Sequence, residues 1–182
     1  MEQDLKEIIE KTREGDHQAF RRLVERYRQK AYSLAFRMTC DEEEARDVVQ
    51  ESFIKIWKKI GTLDMEKNFT TWMYRIVMNS SIDHIRQLKN RRQVSLETVG
   101  SHLVQLNGES HRELQNRELG DLIRWAADGL PERQKTVFIL RDLQGLESEE
   151  VEQMLEIPAS SVKSNLYHAR KSIREKMKKA LE

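Results

Sequence analysis

The chain has 182 residues, 38% hydrophobic and 35% charged, with a formal net charge of +1. That length admits one or two small domains, and the composition fits a soluble, helix-rich protein. No apolar run is long enough to span a membrane, and the amino-terminal MEQDLKEIIEKTREGD lacks the apolar segment of a signal peptide, so the expectation is a cytoplasmic protein without membrane insertion.

Two prolines and seven glycines leave few breaks, and no apolar alternation is sustained over a strand's length, so the predicted fold is all-α. The first helix is expected from about Asp4 to Glu14, ending at Gly15-Asp16. The next, His17 to Met38, gathers Phe20, Leu23, Val24, Tyr27, Ala31 and Leu34 on one face, and Thr39 to Asp41 breaks it. A third carries Ala45, Val48, Val49, Phe53, Ile56, Trp57 and Ile60, the stripe of a packed helix face, and stops at Gly61. Cys40, the single cysteine, excludes an internal disulfide and a cysteine-rich zinc site and is expected simply to pack near a helix end.

A loop, Thr62 to Asn68, leads to a fourth helix over about Thr70 to Leu88, with Trp72, Met73, Ile76, Val77 and Ile85 inward. Trp72 falls on that stripe and reads as core. Asn90 to His111 is polar, carries two glycines and has no steady period, so it reads as an extended linker. A second helical unit begins near Arg112, with Leu114, Leu119, Leu122, Ile123 and Ala126 as its apolar positions. A break at Asp128 to Pro131 precedes a helix from about Glu132 to Asp142.

The tail, Gln144 to Lys179, reads as helix, tight turn and helix. Val151, Met154 and Leu155 mark the first helix, and Ile157-Pro158 ends it because proline drives the preceding residue out of helical geometry. Ser160 or Ser161 is expected to cap the second helix, whose apolar side is Val162, Leu166, Ala169, Ile173 and Met177. The outer side shows Lys163, Ser164, Asn165, Tyr167, His168, Arg170 and Lys171. A short helix, a turn and a helix with a basic outer face make a helix-turn-helix of the kind that enters the DNA major groove. Charge supports this: Asp41 to Glu51 holds six acidic residues and one basic, whereas Ala159 to Glu182 holds seven basic and two acidic. Opposite ends of opposite sign point to two partners, one of them polyanionic.

The segments DHQAFRRLVERYRQKAYSLAFRMT, DEEEARDVVQESFIKIWKKI and NFTTWMYRIVMNSSIDHIRQLKNRR, followed by LPERQKTVFILRDLQGLESEEVEQMLEIPASSVKSNLYHARKSIRE, together resemble a bacterial extracytoplasmic-function (ECF) sigma factor over nearly the whole chain. The resemblance implies two small helical domains, a region-two helical bundle over 1–89 and a region-four helix-turn-helix over 112–182, joined by a flexible linker over 90–111. It implies as partners core RNA polymerase, through its β′ clamp and β flap, promoter DNA, and an anti-sigma factor that holds the protein inactive, in many relatives at the membrane. The resemblance is to the minimal class, in which the middle domain and acidic amino-terminal region of primary sigma factors are not expected.

On this resemblance Asp47, Gln50 and Glu51, which share an outer helix face, are expected to dock on the polymerase clamp. Tyr74, Arg75, Asn79, Asp83 and Arg86, with the loop from about Gly61 to Asn68, are expected to hold the opened minus-ten strand, which needs cations for phosphates and amide or carboxylate groups for base edges. Ser160, Ser161, Lys163, Ser164, Asn165, His168, Arg170 and Lys171 are expected to contact the minus-thirty-five duplex. Many relatives carry Arg at the position of Asn165 and Gly-Thr at Ser160-Ser161, so the promoter sequence read here differs from theirs while the docking mode need not.

No metal, cofactor, small-molecule substrate or catalytic residue is expected. His84, His102, His111 and His168 are scattered without paired ligand spacing, and no phosphate loop or nucleophile elbow is present. Two readings from other classes stay open at this point. A duplex-binding regulator that never meets polymerase requires a ligand pocket or receiver domain ahead of the helix-turn-helix. A helical interaction module predicts no salt-dependent DNA binding.

Overall fold

Four helices of the amino-terminal half share one buried seam, set by the apolar stripes of the sequence. The structure, a computed structural model, describes residues 2–95 and 111–181. The helices are α1 (Glu2–Arg13), α2 (His17–Thr39), α3 (Glu42–Lys59), α4 (Phe69–Ser95), α5 (His111–Ala127), α6 (Glu132–Phe138), α7 (Ser148–Leu155) and α8 (Ala159–Leu181). Among the described residues there is no strand, in line with the all-α expectation.

Local chemistry sets the helix ends. Asp16 accepts hydrogen bonds from the amides of Gln18 and Ala19 and so caps α2. Cys40, with φ of 57°, takes the left-handed conformation that closes α2, and its amide donates to the Phe36 carbonyl at 2.7 Å. Asp41 then caps α3 through the Glu44 amide, and Glu42, Glu43 and Glu44 place negative charge against the positive end of that helix dipole. Asn68 caps α4 through the amides of Thr70 and Thr71.

Leu23 and Leu34 of α2, Val48 and Ile56 of α3, and Met73 and Val77 of α4 are fully buried and form the centre of the first bundle. In the second unit Val137 of α6, Leu140 of the turn that follows it, Val151 of α7 and Val162 of α8 do the same work. The two centres merge into one continuous buried cluster, in which Tyr74 and Met78 of α4 meet residues of the second unit. Gly120 of α5 lies so close to the end of α2 that a Cβ there would meet the Cys40 carbonyl oxygen at 3.0 Å. Arg124 donates to the same carbonyl at 2.7 Å.

Several boundaries depart from the sequence reading. The fourth helix runs on to Ser95 rather than stopping near Leu88, because Lys89 to Gln93 favour helix and nothing there breaks it. The remainder of the expected linker, 96–110, and with it His102, lies outside the described residues. The helix expected over Glu132 to Asp142 is α-helical only to Phe138 and continues as a π turn over Ile139–Leu143. There the Gln144 amide reaches back to the Ile139 carbonyl at 2.8 Å. Helix α8 begins at Ala159, so Ser160 and Ser161 sit inside its first turn and neither is its cap.

Ile56→Ala should destabilise the first bundle by about 2–5 kcal/mol, since Ile56 is fully buried between packed helices. Urea unfolding checks this; a loss below about 1 kcal/mol would mean the seam closes over the deleted atoms.

Candidate functional site

Four surfaces carry the chemistry, and the first is the basic face of α8. The turn of the helix-turn-helix is made by Glu156, whose φ of 53° ends α7, and by Pro158, whose carbonyl accepts from the amides of Ser161 and Val162. Val162 and Ala169 are fully buried, and this rotation leaves Ser160, Lys163, Ser164, His168 and Lys171 exposed. Tyr167 stands out at 63% exposure, with its ring edge-on to His168. Two of the expected contacts are engaged within the fold. Arg170 makes a bidentate pair with Asp142, with distances of 2.8 and 2.5 Å, which ties α8 to the π turn. The Asn165 amide donates to the Ser161 carbonyl at 2.7 Å.

The second surface is the outer side of α4. Asn79, Asp83 and Arg86 are exposed there, while Arg75 is half-buried. Tyr74 was placed on this outer side by sequence, yet it is only 6% exposed. Its hydroxyl accepts from Gln144 Nε2 at 2.9 Å, and the other end of Gln144 accepts from Arg37, so one side chain of the second unit bridges two helices of the first. Burial pushes the Tyr74 phenol up, with the Gln144 hydrogen bond and Arg37 pulling it back. The charged residues of α4 meet acidic partners from the second unit: Arg75 with Glu156 at 2.5 Å and Arg86 with Glu132 at 2.6 Å. Asn79 lines a crevice of 250 Å³ shared with Leu155 and Glu156. Carboxylates of the second unit thus occupy both of these arginines of α4.

The third surface is a groove of 900 Å³ between α2 and α3. Phe20, Val24, Phe53, Ile54 and Trp57 line it, and Arg28, Arg46 and Gln50 rim it. Phe20 packs against both Phe53 and Trp57, and His17 stacks on Trp57 at 4.9 Å, which keeps one wall rigid. Of the three residues expected to dock on a protein partner, Asp47, Gln50 and Glu51, all are exposed and Gln50 lines the groove. Glu51 pairs with Lys55 at 2.8 Å. Sequence reasoning missed Ile54, 48% exposed beside them; an aliphatic one step off the α3 stripe is the signal that would have found it.

The fourth surface was also missed. Leu119 and Leu122 read as core, but they are 44% and 60% exposed, and Trp125 follows at 38%. Ile123 faces inward as expected, joined by Ala127, so the buried stripe of α5 is narrower than the expected one and leaves Leu119 and Leu122 outside it. Lys176 of α8 donates to the Trp125 carbonyl at 2.6 Å and lies 5.2 Å from the centre of its ring.

Among the described residues no group of histidines, cysteines or acids could hold a metal ion, and no helix is long and apolar enough to cross a membrane. His84, read as an ordinary surface histidine, is half-buried against the Glu44 carboxylate, joining α4 to α3. Cys40 is buried, as expected for a packing residue, and burial pushes its thiol up.

The family model for sigma-70 region 2 matches residues 23–92, and that for sigma-70 region 4 matches residues 121–173. The chain is 30% identical to the ECF RNA polymerase sigma factor SigW of Bacillus subtilis, covering 98% of this chain and 99% of that protein. It is 32% identical to the ECF sigma-E factor of Haemophilus influenzae, covering 93% of each. Among solved structures, that of CnrH in complex with the cytosolic domain of CnrY superposes with a TM-score of 0.70 at 18% identity, over 96% of this chain and 97% of that one. The sigma factor RpoE of Bartonella quintana, in complex with the anti-sigma factor NepR, gives 0.66 at 21% identity, over 87% and 96%. The last two likenesses speak to the fold. The chain belongs to the ECF sigma factors.

Reversing the charge of both acidic partners of α4, Glu132→Lys with Glu156→Lys, should loosen the second unit from the first. Exposed pairs are individually weak, so the expected shift toward extended molecules is about three- to tenfold. Small-angle scattering at low and high salt reads it; an unchanged radius of gyration would assign the closed packing to the apolar contacts and the Gln144 bridge.

Proposed function

We propose that this chain is a dissociable subunit of bacterial RNA polymerase that carries the enzyme to particular promoters and helps to open them. The observation that carries the reading is the pairing of a helix-turn-helix whose outer face is basic with a second helix, α4, whose arginines already hold carboxylates in phosphate-like positions. Family membership supports the same reading. Residues 1–89 form the polymerase- and minus-ten-binding unit, 90–111 the connector and 112–182 the minus-thirty-five-binding unit.

Lys163, Ser164, His168 and Lys171 contact the duplex in the major groove, Ser160 and Ser161 sit at the end of the helix nearest the phosphates, and Asn165 is suited to adenine once it leaves Ser161. Arg170 contributes phosphate contact when Asp142 releases it. On α4, Arg75 and Arg86 hold phosphates of the opened strand, and Asn79 and Asp83 read base edges. Tyr74 joins them only after Gln144 withdraws. DNA binding at α4 therefore requires the second unit to move away, and polymerase supplies the energy for that opening by binding both units.

Asp47, Gln50 and Glu51 meet the clamp electrostatically, with the apolar groove beside them taking hydrophobic side chains of the β′ coiled coil. The Leu119, Leu122 and Trp125 face takes the β flap. The protein itself makes and breaks no covalent bond; promoter opening is driven by exchanging base pairing and stacking for protein contacts. Its place of action is the cytoplasm. An anti-sigma factor holds it inactive; CnrH and the Bartonella RpoE, which share its fold, were each solved with a protein bound.

Run-off transcription tests the reading: purified protein with sigma-free core polymerase should give specific transcripts from genomic fragments that include its own upstream region. Absence of transcripts together with absence of core binding would favour the polymerase-independent regulator. Two substitutions separate the surfaces. Lys163→Ala should weaken binding to the minus-thirty-five duplex and lower its salt slope by about one, with core binding unchanged. Ile54→Asp should lower core affinity by about tenfold or more with duplex binding unchanged, as expected for a charge placed in an apolar contact. Competition binding to core and filter binding to the duplex check the two.

A further inference from the structure

Lys55 of α3 ties an exposed carboxylate to the inside of the first bundle. Its ammonium donates to the Ser80 hydroxyl of α4 at 3.0 Å and pairs with the Glu51 carboxylate, one turn back on α3, at 2.8 Å. Ser80 is fully buried, while Glu51 is exposed. Ser52 on α3 and Ser81 on α4 are also fully buried, and each turns its hydroxyl back on its own helix, to the Val48 and Val77 carbonyls. Ser80 differs from them: its hydroxyl receives a side chain from the neighbouring helix.

An exposed pair of long side chains one turn apart is ordinarily loose, because two flexible chains must be ordered for a small electrostatic gain. Lys55 is held more firmly. Its side chain is 34% exposed, so most of the stem lies along the bundle and the ammonium sits at its edge. The hydroxyl that holds it belongs to a close-packed helix and cannot follow it into water. The Glu51 carboxylate is therefore tied, through Oε1, to the frame of the bundle. Asp47 lies one turn before Glu51 on α3 and Ile54 three residues after it, so the three share one outer face. Near its other end α3 is joined to α4 through Glu44 and His84, which pins the helix carrying this row at both ends.

We propose that Lys55 is a positioning residue for the polymerase clamp: anchored on Ser80, it holds one oxygen of Glu51 and sets the acidic row of α3 in register with Ile54 before the partner arrives. This rests on the reading of Asp47, Gln50 and Glu51 as clamp-docking residues. Lys55 itself does not touch the clamp. A carboxylate already held in place loses little freedom when a cation of the partner takes its second oxygen, so docking is favoured. An unanchored lysine would do the reverse and compete with that cation for Glu51.

Core affinity is the readout, measured by competition binding of the full chain to sigma-free core polymerase. Lys55→Met keeps the stem and removes the ammonium. It should weaken core binding about three- to tenfold, the range expected when one long side chain must be ordered on binding. Ser80→Ala leaves Lys55 in place without its anchor and should show a smaller loss in the same direction. Lys55→Arg, which can reach both partners, should bind core nearly as tightly as the unsubstituted chain. The decisive step repeats Lys55→Met and Ser80→Ala in a chain that also carries Glu51→Ala. If Lys55 acts through Glu51, neither adds to the loss that Glu51→Ala causes. Losses that add in full overturn the proposal and make Lys55 a stabiliser of the bundle only. Unchanged or tighter core binding by Lys55→Met overturns it as well. If Glu51→Ala alone leaves core affinity unchanged, Glu51 does not dock, and the reading beneath the proposal falls together with it. Should Lys55→Met fail to fold, Ser80→Ala with and without Glu51→Ala decides in the same way.

Discussion

Helix α4 carries two packing obligations at once, and the rest of the molecule is arranged around them. Its inner stripe, with Met73 and Val77 fully buried, completes the first bundle. Its outer side receives the second unit through Tyr74, Arg75 and Arg86. The fulcrum is Gln144, held by Tyr74 on α4 and Arg37 on α2. The π turn delivers Gln144 to that position: the wider turn over Ile139–Leu143 ends with the Gln144 amide bonded five residues back, and Asp142, within it, takes Arg170 of the recognition helix. One irregular turn thus links the basic face of α8 to the outer side of α4.

The bonds across this junction differ in kind. Gln144, Tyr74 and Arg37 are partly buried, and removing one partner would leave polar atoms unsatisfied in a poorly solvated place. Arg75–Glu156 and Arg86–Glu132 are exposed and screened by salt, so they guide the approach of the two units more than they hold it. A closed form that joins the two units through a shared apolar cluster as well as polar contacts is displaced only by a partner that binds each unit better when they are apart. The apolar groove between α2 and α3 and the exposed face of α5 both stay uncovered in the closed form.

The local architecture was legible in the sequence wherever one helix faces one core. The stripes of α2 and α3, that of α8 as far as Ala169, the break at Pro158 and the packing role of Trp72 and Cys40 follow from periodicity and turn chemistry, whereas Met177, expected on the α8 stripe, is 49% exposed. Periodicity failed where a helix has two faces to bury or leaves apolar side chains exposed. Tyr74 lies off the inner stripe and is buried all the same, because the second unit covers it. Leu119 and Leu122 are apolar and exposed, and composition does not separate a residue held for a partner from one held for the core. The π turn and the role of Lys55 depend on contacts between segments far apart in the chain, for which the sequence carries no local signal.

The measurement that bears most directly on this account locks the junction. Asn79 and Leu155 line the same crevice between the units, and Cys40 is buried, so cysteines introduced at positions 79 and 155 can be joined selectively. Run-off transcription with core polymerase would then compare the joined and reduced protein. The account predicts specific transcripts from the reduced form and none from the joined form, with core binding retained by both. Equal transcription by the joined form would contradict the claim that the second unit must leave α4 before the promoter can be read.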